Sequence, residues 1–74
     1  MIDKVLIGNN IKEQRIKRHW KFEYVSKNTN IDIERLKLLE NGKRIPTYEE
    51  LFKISRLYNV IIDVIVYGED YKNK

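Results

Sequence analysis

The sequence predicts an all-α fold, a bundle of five short helices, and three observations carry that expectation. Apolar residues recur at three- and four-residue spacing in short runs instead of alternating. Turn and capping residues separate the runs: Asn9 and Asn10, Asn28-Thr29-Asn30, Asp32, Asn41-Gly42 and Thr47. The stretch from Ile31 to Pro46 contains a helix start, an apolar inner face, a glycine stop, a basic loop and a proline that opens the next segment.

Taken in order, Asn9 or Asn10 is expected to cap a first helix, with Ile11 and Ile16 inward and Leu6 or Ile7 packing back. From Lys12 to His19 only one residue is apolar, which predicts a surface helix with a narrow stripe, broken at Trp20. Lys21 to Lys27 forms a second helix with Val25 and Ser26 inward, the small Ser26 letting a neighbour approach. Asn28-Thr29-Asn30 is turn chemistry, because asparagine tolerates the left-handed conformation that ends helices. Asp32 then caps a third helix with Leu36 and Leu39 inward, and Asn41-Gly42 stops it.

Pro46 and Thr47 restart the chain, and Thr47 with Glu50 has the spacing of a capping box. Leu51, Ile54 and Leu57 give the fourth helix its apolar stripe. The last run, Val60 to Tyr67, is rich in β-branched residues, whose propensity favours a strand. Its place after four short helices, ending at Gly68, favours a fifth helix. A helix is expected, with a strand as the alternative. Residues 1–68 would form the domain and 69–74 a short flexible tail.

Seventy-four residues make one small domain, which buries roughly 60% of the surface of its unfolded chain and gains from dimerising. There is no cysteine, hence no disulfide framework and no thiolate metal site. The N-terminal residues lack the pattern of a signal peptide, and no window reaches the ~18 apolar residues of a membrane helix. A cytoplasmic protein without membrane or metal is expected. Net charge is +4, unevenly spread: residues 1–45 hold 11 Lys/Arg against 6 Asp/Glu, and residues 46–74 hold 4 against 5. A basic front and a near-neutral back suit a protein that meets a polyanion with one face.

Helix, tight turn and helix over residues 22–41 is the shape of a DNA-reading hairpin. With Ile11 and Arg15, Val25-Ser26, Ile31, Leu36, Leu39-Glu40-Asn41-Gly42-Lys43-Arg44, Pro46, Leu51, Ile54, Leu57, Val60 and Ile65, the chain resembles the Cro/phage-repressor helix-turn-helix domains, also called the xenobiotic-response-element type. The resemblance runs without a gap from about Ile7 to Gly68. It implies a five-helix, lambda-repressor-like bundle and a structural ion pair between Arg15 and Glu40. The residues agree with it, since a carboxylate on the inner side of the third helix needs a partner, and arginine suits. It also implies that the third helix, at about 32–41, lies in the major groove of double-stranded DNA. Ile33, Glu34, Lys37, Leu38 and Asn41 would then face bases, while Lys21, Lys43, Arg44 and the amides opening the second helix would hold phosphates; with DNA as the partner, Lys27 and Arg35 are expected to add phosphate contacts.

The outward residues depart from the family pattern. Ile33 and Leu38 stand where polar side chains are common, Glu34 and Asp32 are acidic, and Phe22 occupies a position that often carries a phosphate-touching glutamine. One reading keeps DNA as the partner, with specificity from apolar contacts, Glu34 and DNA shape. The other turns Phe22, Ile33 and Leu38 into an apolar patch for a protein partner.

No catalytic constellation is present. His19 is the single histidine, Ser26 has no activating base, and neither a P-loop nor a glycine-rich dinucleotide turn occurs. Trp20 is expected to pack, and Tyr24 to lie outward. Ile61, Val64 and Tyr67 are the expected dimer surface, with Ile62, Ile65 and Val66 turned to the core; edge-to-edge strand pairing would be the other route to a dimer. The sequence therefore points to a dimeric, sequence-specific DNA-binding regulator, a repressor, without cofactor or enzymatic activity. The alternative is a protein-binding module on the same scaffold, an antirepressor or antitoxin-like component.

Overall fold

A computed structural model describes residues 2–69. Five helices follow one another: α1 (Lys4–Lys17), α2 (Phe22–Thr29), α3 (Ile33–Glu40), α4 (Tyr48–Tyr58) and α5 (Ile62–Tyr67). The described residues contain no strand. α1 packs against α3 and α5, α2 against α3 and α4, and α4 against α5. Ile7, Ile11, Val25, Ile31, Leu36, Leu39, Leu51, Ile54, Tyr58 and Ile65 form the shared core.

The first helix begins earlier than expected. Asp3, not Asn9 or Asn10, is its N-cap, and its carboxylate accepts from the Val5 and Leu6 amides at 3.0 and 3.1 Å. Asn10 is buried, and its Nδ2 donates to the Ile65 carbonyl at 2.8 Å, tying α1 to α5. The apolar pattern misleads here because the buried face of α1 carries Gly8, Asn10 and Gln14 beside Ile7 and Ile11. Val5, Leu6 and Ile16, by contrast, remain on the surface, Ile16 being half exposed instead of inward.

Helix ends are set by the left-handed residues His19, Asn30, Gly42 and Asn59. After α3, the Gly42 amide donates to the Leu39 carbonyl and the Lys43 amide to the Leu38 carbonyl, the pair of bonds that defines a Schellman stop. The same pair of bonds closes α1 around His19 and α4 around Asn59. Asn30 ends α2 with one bond to the Ser26 carbonyl. α4 opens on the expected capping box: Thr47 caps the Glu50 amide and Glu50 caps the Thr47 amide. Asp32 stands at the N-cap of α3 without a side-chain cap bond.

The last run is a helix despite its β-branched residues. With no other strand among the described residues to pair with, its backbone groups are satisfied by helical bonds, as in the Gly68 amide donating to the Val64 carbonyl at 2.8 Å, and by the Asn10 side chain at the Ile65 carbonyl. Val64 and Ile65 enter the core, while Ile61 and Tyr67 stay about half exposed. Val64 is thus a correction to the expected dimer surface: at 2% exposure it has nothing left to offer a partner. Of the expected tail, Glu69 folds back onto α1, accepting from Gln14 Nε2 at 2.8 Å and pairing with Lys17. Residues 70–74 lie outside the described residues.

Gly8 sets how closely α1 and α3 approach. A Cβ there would stand 2.4 Å from the Leu39 carbonyl oxygen and 2.8 Å from that of Glu40. Gly8→Ala is therefore expected to cost about 1–3 kcal/mol, read as a lower urea midpoint. An unchanged midpoint would mean that the two helices can part without loss.

Candidate nucleic-acid interface

The turn between α2 and α3 spans only Asn30, Ile31 and Asp32. Thr29 braces it: its hydroxyl donates to the Val25 carbonyl at 2.7 Å and accepts from the Ile31 amide at 3.3 Å. Ile31 is buried beneath the turn. α3 then buries Leu36, Leu39 and Glu40, so helical spacing turns the opposite face outward. On that face Glu34, Lys37 and Asn41 are exposed, and Ile33 and Leu38 are half-buried. The five residues expected to face bases thus share one side of one helix.

The hold on α3 is a buried ion pair. Arg15 Nε donates to Glu40 Oε2 at 2.8 Å and its second terminal nitrogen to Oε1 at 3.0 Å. The third arm donates to the Trp20 carbonyl at 3.1 Å, which fastens the α1–α2 loop to the same group. The side chains are 14% and 4% exposed, so both charges are largely desolvated and depend on each other. Hydrogen bonding to Glu40 raises the Arg15 pKa above its ordinary value, against the opposing effect of burial.

Phe22 lies over this pair, with its ring centroid 4.0 Å from the Arg15 guanidinium carbon. It also packs against the core. Its role differs from the expected apolar patch, since the ring is engaged inside the domain. Trp20 likewise packs, stacked on Tyr58 at 5.6 Å between ring centroids and tilted against Tyr24 at 4.6 Å.

The other expected phosphate contacts lie at α2 and in the loop after α3. Lys21 is the N-cap of α2, and no side chain caps that helix's first amides. Lys27 is exposed on the last turn of α2, and Lys43 and Arg44 are exposed in the loop after α3. Arg35 is the exception and corrects the expected phosphate set. Its Nε and a terminal nitrogen each donate to Glu50 at 2.9 Å, so it clamps α3 to α4. Its side chain is 30% exposed, and its fork is already filled.

Sequence reasoning missed the polar groups that support α1. Arg18 donates to the Gln14 carbonyl, to Gln14 Oε1 and to the Tyr58 carbonyl. Tyr58 is fully buried, and burial pushes its hydroxyl pKa up. The i, i+4 pair Ile7 and Ile11, extended by Gln14, is the signal that could have placed these residues inward.

Among the described residues no group of three His, Asp or Glu side chains could hold a metal ion, and no helix is long and apolar enough to cross a membrane. A short, braced turn between two helices, the second exposing Glu34, Lys37 and Asn41 on one side and followed by exposed Lys43 and Arg44, defines a helix-turn-helix domain. The family model described as helix-turn-helix (HTH_3) matches residues 11–65, and the chain belongs to this family of Cro/C1-type DNA-binding regulatory domains. Neither a curated protein nor a solved structure gives a significant match.

Two outcomes follow for stability. Arg15→Ala, which strands Glu40 in the interior, is expected to cost ~3 kcal/mol, measured by thermal or urea denaturation. An unshifted transition would show that Glu40 reaches water in solution. The Arg35 hydrogen bonds hold the Glu50 carboxyl below its ordinary value of 4.5, outweighing partial burial, with the Thr47 amide assisting. A depressed carboxyl stabilises the fold above its unfolded pKa, and that contribution is lost as pH falls through the folded value. Arg35→Met should therefore lower stability at neutral pH and flatten the acid limb below about pH 4.5, where Glu50 titrates. An acid limb of unchanged steepness would overturn that assignment.

Proposed function

We propose that this protein is a dimeric transcriptional repressor that reads an operator through the outward face of α3. The observation that carries the reading is one outward helix face, exposed Glu34, Lys37 and Asn41 with half-buried Ile33 and Leu38, in a domain that also exposes Lys21 and Lys27 at α2 and Lys43 and Arg44 just after α3. These cations supply the salt-sensitive, sequence-independent part of binding, together with the uncapped amides of α2. On the reading face, Glu34 accepts from a cytosine amino group, and Ile33 and Leu38 pack on thymine methyls. Specificity then comes from one acceptor, two apolar contacts and the donors Lys37 and Asn41.

Dimerisation uses Ile61 and Tyr67, about half exposed on and beside α5. Tyr67 shares a concave surface of mixed polarity with Leu6, Asn10 and Glu13 of α1. A two-fold axis through this region would set two copies of α3 about one DNA turn (~34 Å) apart. The protein-partner reading draws less support, because Phe22, its largest proposed contact, is packed on the core and under Arg15.

The test is binding to random-sequence duplex DNA at several salt concentrations, followed by selection of the bound fraction. Salt-sensitive binding that enriches a palindrome is expected. Lys43→Ala with Arg44→Ala should weaken binding to every sequence and reduce the slope of log affinity against log salt by about 1–2. A slope equal to that of the parent would remove these two residues from the phosphate contacts.

A further inference from the structure

We infer that Phe22 is a positioning residue for base recognition: its ring holds the Lys37 ammonium in place, and the group so presented reads guanine. This rests on the groove-reading function proposed above and adds to it the chemistry of one base position.

Lys37 is exposed at the middle of the outward face, four residues from both Ile33 and Asn41. Its Nζ lies 5.8 Å from the centroid of the Phe22 ring, within reach of the attraction between an ammonium and an aromatic face. Glu34 sits three residues earlier on the same helix, at a spacing that commonly pairs. Among the described residues, however, no ion pair joins Lys37 to Glu34. The ammonium stands by the ring, and the carboxylate is left as a separate acceptor.

The ring is itself fixed. The Arg15 guanidinium carbon is 4.0 Å from its centroid, and Arg15 is held by two bonds to Glu40 and one to the Trp20 carbonyl. Phe22 also packs on the hydrophobic core. A chain of contacts therefore runs from the buried ion pair, through the aromatic ring, to the end of a surface lysine. A free lysine loses up to ~2 kcal/mol of side-chain entropy when immobilised. One already restricted by a ring has less to lose on meeting its target.

The chemistry of the target follows from the donor. An ammonium carries only donors, and in the major groove guanine offers two adjacent acceptors, O6 and N7. Adenine offers one acceptor beside a donor, and thymine one beside a methyl. An ammonium held at one point thus discriminates for guanine.

The experiment compares the parent protein, Lys37→Met, Phe22→Trp, and a protein carrying pentafluorophenylalanine at position 22. The last keeps the shape of the ring while reversing its electrostatic face, so its folding does not turn on a cavity. Each is taken through selection on random duplex DNA, then titrated on the selected duplex and on one carrying 7-deazaguanine, which lacks the N7 acceptor. The parent should enrich guanine at one position per half-site and lose about 10-fold in affinity on the 7-deaza duplex. Lys37→Met should lose that single preference and become insensitive to 7-deazaguanine. Pentafluorophenylalanine should reduce the preference severalfold at the same position only, with a thermal midpoint lowered because the ring also faces the Arg15 guanidinium but with cooperative folding retained, and Phe22→Trp should retain the preference. Salt-sensitive binding without a guanine preference at any Lys37-dependent position would overturn the inference alone. A preference unaffected by pentafluorophenylalanine would remove Phe22 from the positioning role. Absence of salt-sensitive binding would overturn the groove-reading function and this inference with it.

Discussion

The Arg15–Glu40 pair is the constraint on which the remaining structure turns. Glu40 is the last residue of α3, and its carboxylate is taken into the interior, while Gly8 passes close over the backbone carbonyls of Leu39 and Glu40. A buried carboxylate is tolerated only with its lone pairs satisfied. Arg15 satisfies them with a two-pronged bond and spends its remaining arm on the Trp20 carbonyl. Three segments, α1, the α1–α2 loop and α3, are thereby fixed to one guanidinium. The angle at which α3 offers its outer face is set from behind.

Around that pair, the domain uses charged groups as joints more than as surface decoration. Arg35 and Glu50 clamp α3 to α4, Arg18 joins α1 to the end of α4, and Glu69 fastens the end of the described chain to α1. Each joint adds a polar tie between elements that already meet in the shared core. Such a division suits a chain of this size, in which the apolar interior alone is modest.

Much of this fold was legible in the sequence because its signals are local. The Thr47–Glu50 box, the Asn41-Gly42 stop and the Leu36/Leu39 and Leu51/Ile54 spacings each act within one turn of helix, and each recurs in the structure. The start of α1 was not legible, because Asn9 and Asn10 have capping chemistry and only α5 reveals that Asn10 faces inward. The β-branched end was ambiguous by propensity, and tertiary context decided it. The outward face of α3 could be enumerated from helical spacing. The diversion of Arg35 to Glu50, the burial of Val64 and the engagement of Phe22 with Arg15 could not, since each depends on a partner distant in the chain.

The Schellman stop after α3 also bears on the chemical lifetime of the outward side of that helix. An asparagine followed by glycine is the pair most prone to lose its side-chain amide, because the glycine nitrogen can attack the asparagine carbonyl carbon and close a succinimide ring. Asn41-Gly42 is such a pair, and Asn41 is exposed. The nitrogen that would attack is buried, however, and donates its hydrogen to the Leu39 carbonyl at 3.1 Å. Folding thus withholds the nucleophile as well as ending the helix, and an aged chain that had unfolded would return with an aspartate or isoaspartate where an exposed amide had stood.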